Sequence, residues 1–158
     1  MADAQRKLRD IVGDAETCML VDRFQAGLRA RPMAPHTDEG SDIVWMVTDV
    51  NSGKVDEVAR NPEVCLSIQD GQTYASVTGQ AEIVDDLAKK KEIWNPFVDA
   101  WFPEGPESAS ATLLKITPQA GEYWDAPSKL VQSVKMLIAS ATDERPDDMG
   151  DNEKVRFS

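Results

Sequence analysis

The chain has 158 residues, 41% of them hydrophobic, and sets 17 basic against 28 acidic side chains for a formal net charge of −11. That length predicts a single domain able to bury a real core, and without a long apolar run no membrane span is expected. The acidity repels nucleic acid and anionic lipid surfaces, and its plain reading is solubility. With two cysteines, Cys18 and Cys65, each inside an apolar run, and one histidine, His36, the chain has no zinc site of the usual kind. Both thiols are expected to be buried and free. The chain shows no charged, apolar amino-terminal leader, which makes the cytoplasm its expected compartment.

In chain order, residues 3–12 put Leu8, Ile11 and Val12 on one helical face ending at Gly13, which predicts a short lid helix. Residues 17–22 read as a strand, 24–27 as a turn and 28–36 as a second strand, where Pro32 and Pro35 argue for an edge or a bulge. After a turn over 37–40, residues 43–48 form a buried strand, expected to pair antiparallel with 28–36. A helix over 55–61 stops at Pro62. Strands follow at 63–69 and 73–84, joined by an Asp70-Gly71 turn, with Gly79 marking a bulge or a close backbone approach.

Residues 85–101 are helical and divided by Pro96, with Leu87, Ile93, Trp94, Phe97, Val98 and Trp101 as the apolar side and Lys89, Lys90 and Lys91 outside. A loop at 102–108 leads to strands at 111–117 and 121–124, and then to a helix over 126–139. The predicted class is mainly β (α+β): a six-stranded antiparallel split barrel with flanking helices. The domain spans residues 1–141, and 142–158 form an acidic tail expected to be mobile or to lie over a partner subunit.

The chemistry gathers between residues 28 and 54. A phosphate dianion suits one planar bidentate donor, one compact ammonium and a hydroxyl, and Arg31, Lys54 and Ser52 supply that set. The helix after Lys54 adds unpaired N–H groups and its dipole. Ser52-Gly53-Lys54 is not a nucleotide P-loop, which requires Gly at Thr48 and Ser or Thr at Val55. Arg29 shares a strand face with Arg31 and is read as a surface residue.

Arg31-Pro32-Met33-Ala34, the run from Trp45 to Lys54, Asn61-Pro62, Val77-Thr78-Gly79-Gln80-Ala81-Glu82, Trp94-Asn95-Pro96, Trp101-Phe102-Pro103-Glu104-Gly105 and Glu122-Tyr123-Trp124-Asp125 follow one another in a recognisable order. Together they resemble the FMN-binding split barrels related to pyridoxine 5'-phosphate oxidase, most closely the general stress protein branch, over roughly residues 5–130. The resemblance implies FMN as cofactor, with deazaflavin or no cofactor as alternatives. It also implies a homodimer with flavin at the subunit interface. Carried over residue by residue, Arg31, Ser52 and Lys54 would hold the phosphate, with Val47 and Thr48 beside the flavin. Pro32 and Met33 would edge its ring, and Tyr74 and Trp124 would lie against the cofactor. Core packing is the preferred reading for Trp94, Trp101 and Phe102, and a place at a strand end on the surface for His36.

Two departures from the oxidase pattern matter. Gly53 stands where the oxidases carry Arg, so the phosphate grip has one cation fewer. Beyond Trp124, Asp125-Ala126-Pro127-Ser128-Lys129-Leu130 lacks the Arg-x-His pair that holds substrate in the oxidases, so pyridoxine phosphate oxidase activity is not expected. The implied function is a flavin-dependent oxidoreductase of unknown substrate, with reduced nicotinamide or another donor supplying the electrons. The alternative is a non-catalytic flavin-binding or sensing stress protein.

Overall fold

A computed structural model describes residues 2–125, 136–137, 140–141 and 151–157. The first helix, α1 (Ala2–Asp14), buries Leu8 and Val12, one turn apart, and covers one end of the sheet. Leu8 sits over Gly121, where a Cβ would come within 2.5 Å of its Cδ2. Only a glycine lets the helix approach so closely.

Strand β1 (Cys18–Phe24) alternates buried and open positions and turns through Gln25-Ala26 into β2 (Gly27–Met33), its antiparallel partner from Cys18↔Met33 to Phe24↔Gly27. Gln25 takes the left-handed conformation (φ 54°) that a two-residue hairpin demands. The expected pairing of 28–36 with 43–48 is thereby corrected. Of that segment the two-residue β3 (His36–Thr37) pairs with β4 (Val44–Asp49), while β2 is committed to β1. Pro35, which has no N–H to donate, falls in the break between β2 and β3. The prolines do place β2 at a sheet edge, as predicted.

Helix α2 (Gly53–Arg60) follows, then β5 (Glu63–Asp70), a Gly71-Gln72 turn and β6 (Thr73–Val84). Helices α3 (Leu87–Ile93) and α4 (Pro96–Trp101) are separated at Asn95, whose side chain caps α4 through the Val98 N–H. Because the chain restarts at Pro96, the apolar face expected over 85–101 is not continuous. Ile93 and Val98 are buried, but Phe97 is 64% and Trp101 72% exposed, so Trp101 is not a core residue. Trp94 and Phe102 stack tilted at 6.1 Å. Lys90, expected outside, is buried and donates to the Ala111 carbonyl at 2.9 Å.

Strand β7 (Ala111–Asp125) runs unbroken where two strands were expected. The register against β6 shifts between Thr78 and Gly79, from Thr78↔Ala120 to Gly79↔Pro118. This bulge absorbs Gln119 and lets Pro118 sit in the strand. A Cβ on Gly79 would lie 2.4 Å from the Thr117 carbonyl oxygen, so the glycine is required there.

The sheet runs β2-β1-β5-β6-β7-β4-β3, and β8 (Asp151–Arg156) pairs with the second half of β7. The architecture is a mainly antiparallel sheet with flanking helices, with eight strands among the described residues where six were predicted. Residues 151–156 form a strand where the sequence suggested only a mobile or partner-covering tail. The helix expected at 126–139 lies for most of its length outside the described residues, as do 142–150. No described helix is long and apolar enough to cross a membrane.

The main core joins Leu20, Leu66, Ile68, Val77, Leu114 and Ile116 beneath α1 and α2. A smaller cluster of Trp45, Ile93 and Leu113 lies on the other face of β4. Cys18 is buried, which pushes its thiol up to about 12, and Cys65 is only half-buried, 3.4 Å from Ser76 Oγ.

Candidate functional site

Strand β4 alternates faces, so Val44, Met46 and Thr48 look into the main core while Val47 packs against the Trp45 cluster on the other side. Past Thr48 the chain makes a tight turn, held by the Asn51 N–H on Asp49 Oδ1 at 2.8 Å and the Ser52 N–H on the Asp49 carbonyl at 3.0 Å. It then enters α2 with Ser52 at the N-cap. The Ser52 side chain makes no capping hydrogen bond, so the unpaired first-turn N–H groups are not answered by it. Lys54, on the first turn, folds back and donates to Thr48 Oγ1 at 2.5 Å and Ser52 Oγ at 3.3 Å. Thr48, Ser52 and Lys54 thus form one cluster.

Arg31 arrives from β2. It is the register partner of Leu20, so it shares the core-facing side of the sheet with Leu20 and Asp22. Its Nη2 donates to Asp22 Oδ1 at 3.1 Å and to Glu57 Oε2 at 2.7 Å. Arg29, two residues back, places Nη1 3.7 Å from Glu57 Oε1 and lies over the Phe24 ring, so it is tied into the cluster and not simply a surface residue.

Electrostatics join the two halves. Lys54 is held below its ordinary range, chiefly by burial and then by the charge of Arg31. Asp22, 1% exposed, is pushed up to about 6 by burial and by Glu57, against the pull of Arg31. Glu57 moves the other way, held below the usual carboxylate range by its link to Asp22 and by Arg31. Asp22 Oδ2, Glu57 Oε1 and Arg31 Nε are buried without hydrogen-bond donors or acceptors. The two carboxylates are close enough to move each other's proton affinity in opposite directions, Asp22 up and Glu57 down.

Asp22 and Glu57 escaped the sequence reading. The signal for Asp22 was available: it is the third of the inward positions Cys18, Leu20 and Asp22, where an apolar residue belongs. Glu57 sits three residues after Lys54 on α2, hence on the same side of the helix.

The other predicted positions lie elsewhere. Met33 is half-buried against the main core. Pro32 is exposed, on the opposite side of β2 from Arg31. Tyr74 and Trp124 are direct register partners on β6 and β7, each 41% exposed, and Gln69 Nε2 donates to the Tyr74 hydroxyl at 3.2 Å. By strand alternation Pro32, Val47, Tyr74 and Trp124 occupy the outer face of the sheet, whereas Arg31, Met33 and Thr48 face inward. His36 is partly exposed, 3.7 Å from Asp38. Among the described residues no group of three or more His, Cys, Asp or Glu side chains could hold a metal.

The inner cluster can grip an oxyanion. It offers an ammonium, two hydroxyls, a helix N-terminus and a guanidinium with a free Nε–H, the donor set that a phosphate monoester requires. Among the described residues no nucleophile paired with a base is seen beside it.

A family model described as pyridoxamine 5'-phosphate oxidase like matches residues 3–147. The curated Protein bli-3 of Neurospora crassa is 26% identical over 143 residues covering 84% of this chain, and the chain spans 65% of that relative's length. Among solved structures, a provisional general stress protein 26 from Jannaschia sp. CCS1 is 30% identical with a TM-score of 0.84, covering 99% of this chain and 100% of that one. The general stress FMN/FAD binding protein of Xanthomonas citri is 21% identical, with a TM-score of 0.70 over 78% of this chain and 89% of that one, a likeness of fold alone. The antiparallel sheet and flanking helices match these structures.

Proposed function

This chain belongs to the pyridoxamine 5'-phosphate oxidase-like family, in its general stress protein 26 branch, and from that premise we propose that it binds FMN and works as a flavin-dependent oxidoreductase. One observation carries the reading: Lys54 is fixed between the Thr48 and Ser52 hydroxyls at the start of α2, with the charge of Arg31 close enough to depress its proton affinity. Arg31 already has Asp22 and Glu57 as partners, whereas the hydrogen bonds of the buried Lys54 ammonium among the described residues go to two hydroxyls, so a bound anion would give it a counter-charge. In this reading Arg31, Ser52, Lys54 and Thr48 hold the 5'-phosphate. Pro32, Met33, Val47, Tyr74 and Trp124 take the flavin side, and a second copy of the chain completes the site as a homodimer.

A bound flavin supplies hydride acceptance and electron transfer, with reduced nicotinamide as the proposed donor. The chain's own contribution is to bind and orient; among the described residues no side chain near the cluster is placed as an essential acid or base. That same lack supports the second reading, a flavin-binding or sensing protein without turnover. Asp125, where the oxidase pattern approaches its substrate pair, is engaged by Lys7 at 2.9 Å and Thr73 at 2.8 Å, which supports leaving pyridoxine phosphate aside as substrate.

A titration with FMN followed by visible absorption and tryptophan quenching tests the proposal. Lys54→Ala is expected to weaken binding about tenfold or more, as the loss of a charge-assisted bond of ~1.5–3 kcal/mol implies. Binding indifferent to that change would overturn the site. Turnover with reduced nicotinamide and oxygen, above that of free FMN, separates the enzyme from the binder.

A further inference from the structure

Resting on the phosphate-binding reading, we infer that Glu57 is an internal counter-ion occupying the anion seat, which an incoming phosphate must displace from Arg31, so that Glu57 sets the affinity for phosphate-bearing ligands. The carboxylate is turned back toward the first residue of its own helix: a Cβ built on Gly53 would lie 3.4 Å from Glu57 Oε1. It therefore stands beside the mouth of α2, where the first-turn N–H groups and the positive end of the dipole favour a negative group. Its other oxygen takes the shorter of the two hydrogen bonds Arg31 donates, at 2.7 Å.

The geometry is that of a placeholder. A carboxylate serving only to anchor an arginine would take two parallel N–H groups of the guanidinium fork. Here Arg31 uses one nitrogen, Nη2, for both Asp22 and Glu57, and its Nε–H stays buried and unanswered, as does Glu57 Oε1. A phosphate has enough oxygens to take both Nη2–H and Nε–H as well as the Lys54 ammonium. Asp22 cannot yield its place, because it is sealed in the core on β1; Glu57, on the helix, can.

A destination for the displaced carboxylate is already present. Arg29 Nη1 lies 3.7 Å from Glu57 Oε1, and the Arg29 side chain is 54% exposed. A small swing would pass Glu57 from Arg31 to Arg29 without leaving it unpaired. The charges facing the seat are then Arg29 and Arg31 from β2, Asp22 from β1, Asp49 from the end of β4, and Lys54 and Glu57 from α2. With Glu57 moved outward the balance around the phosphate becomes more positive, which suits a dianion.

The test compares wild type with Glu57→Gln, which keeps the shape and removes the charge, and with Asp56→Asn, which removes a charge from the exposed neighbouring position. FMN affinity is read by fluorescence, and stabilisation by inorganic phosphate over chloride at equal ionic strength is read as a melting-temperature shift. Glu57→Gln is expected to bind FMN about tenfold more tightly, the usual scale for relieving one close like charge, and to gain a phosphate-dependent shift that Arg31→Ala abolishes. Asp56→Asn should change both by less than about threefold, since exposed charges are screened.

If Glu57→Gln binds FMN and phosphate no better than wild type, Glu57 is a support for Arg31 and the inference is overturned. A gain for phosphate in a protein that takes no FMN in either form would uphold the seat and its gate while sinking the flavin reading.

Discussion

The inner end of the candidate site and its outer face are built on opposite plans. Inside, Arg31, Asp22, Glu57, Lys54, Thr48 and Ser52 are buried or half-buried and already bonded to one another. Outside, Tyr74 and Trp124 stand side by side, each 41% exposed, with the Tyr74 hydroxyl taking a hydrogen bond from Gln69 Nε2. The first is a polar cluster drawn from one chain; the second is an exposed aromatic pair. A phosphate could be gripped by a single copy, whereas holding a flat ring between the two regions calls for something more, which is why the proposed function includes a second subunit.

Arg31→Ala should break the contrast most severely. It leaves Asp22 buried without its cation and Glu57 to the more distant Arg29, and the loss expected for an uncompensated buried charge is about 3–5 kcal/mol, read by denaturant unfolding without ligand. Lys54→Ala should cost far less stability, because its partners are two hydroxyls that lose no counter-charge, although both variants impair phosphate binding.

A second prediction concerns pH. The Asp22 carboxyl keeps its proton to about pH 6 when folded, above its ordinary value of 3.8. The folded state therefore binds more protons than the unfolded state between those values, and this contribution falls away as pH rises through about 6. Asp22→Asn removes that decline, worth roughly 1–3 kcal/mol; melting curves of the two proteins from pH 4 to 7 should converge or diverge accordingly. Identical slopes would show that the pair shares no proton.

On the outer face, Tyr74→Ala and Trp124→Ala should each cost the isolated chain only about 1 kcal/mol, the scale of an exposed aromatic pair. Their larger effect is expected on sedimentation and on FMN quenching. Loss of stability without change in assembly or flavin response would make the pair structural. The smallest effect belongs to Lys7→Ala. Lys7 bridges Asp125 and Asp151 at 2.9 and 2.8 Å on side chains roughly a third to a half exposed, where screening leaves about 0–1 kcal/mol.

The same contrast explains what the sequence made legible. Strands with alternating patterns and short glycine turns, such as β5 and β6 around Gly71, were readable because local geometry decides them. Ser52 and Lys54 were readable as neighbours because they stand two residues apart at the start of one helix, whereas Arg31 reaches the cluster through Asp22 and Glu57 and not through the strand pairing expected of it. Which strand pairs with which was not: 28–36 was assigned to 43–48 on proximity, but the two-residue turn at Gln25-Ala26 claimed β2 first. Nor did periodicity show β8, whose residues Asp151-Asn152-Glu153-Lys154 look like a solvated tail and become a strand only because β7 offers an edge. The carboxylates were missed because a sequence advertises the cations that seek a ligand more readily than the anions that hold them in waiting.

That last strand also sets an order of events during folding. Lys7 on α1 and Asp151 on β8 meet across 144 residues of chain, and Val155 is buried in the same core as Leu8. Contacts so distant in sequence form late, because closing the loop between them costs entropy before any burial offsets it. A chain emerging from the ribosome would hold β5 and β6 as a hairpin well before α1 gains its neighbour β8, leaving Leu8 and Tyr123 partly uncovered until residues 151–156 have emerged.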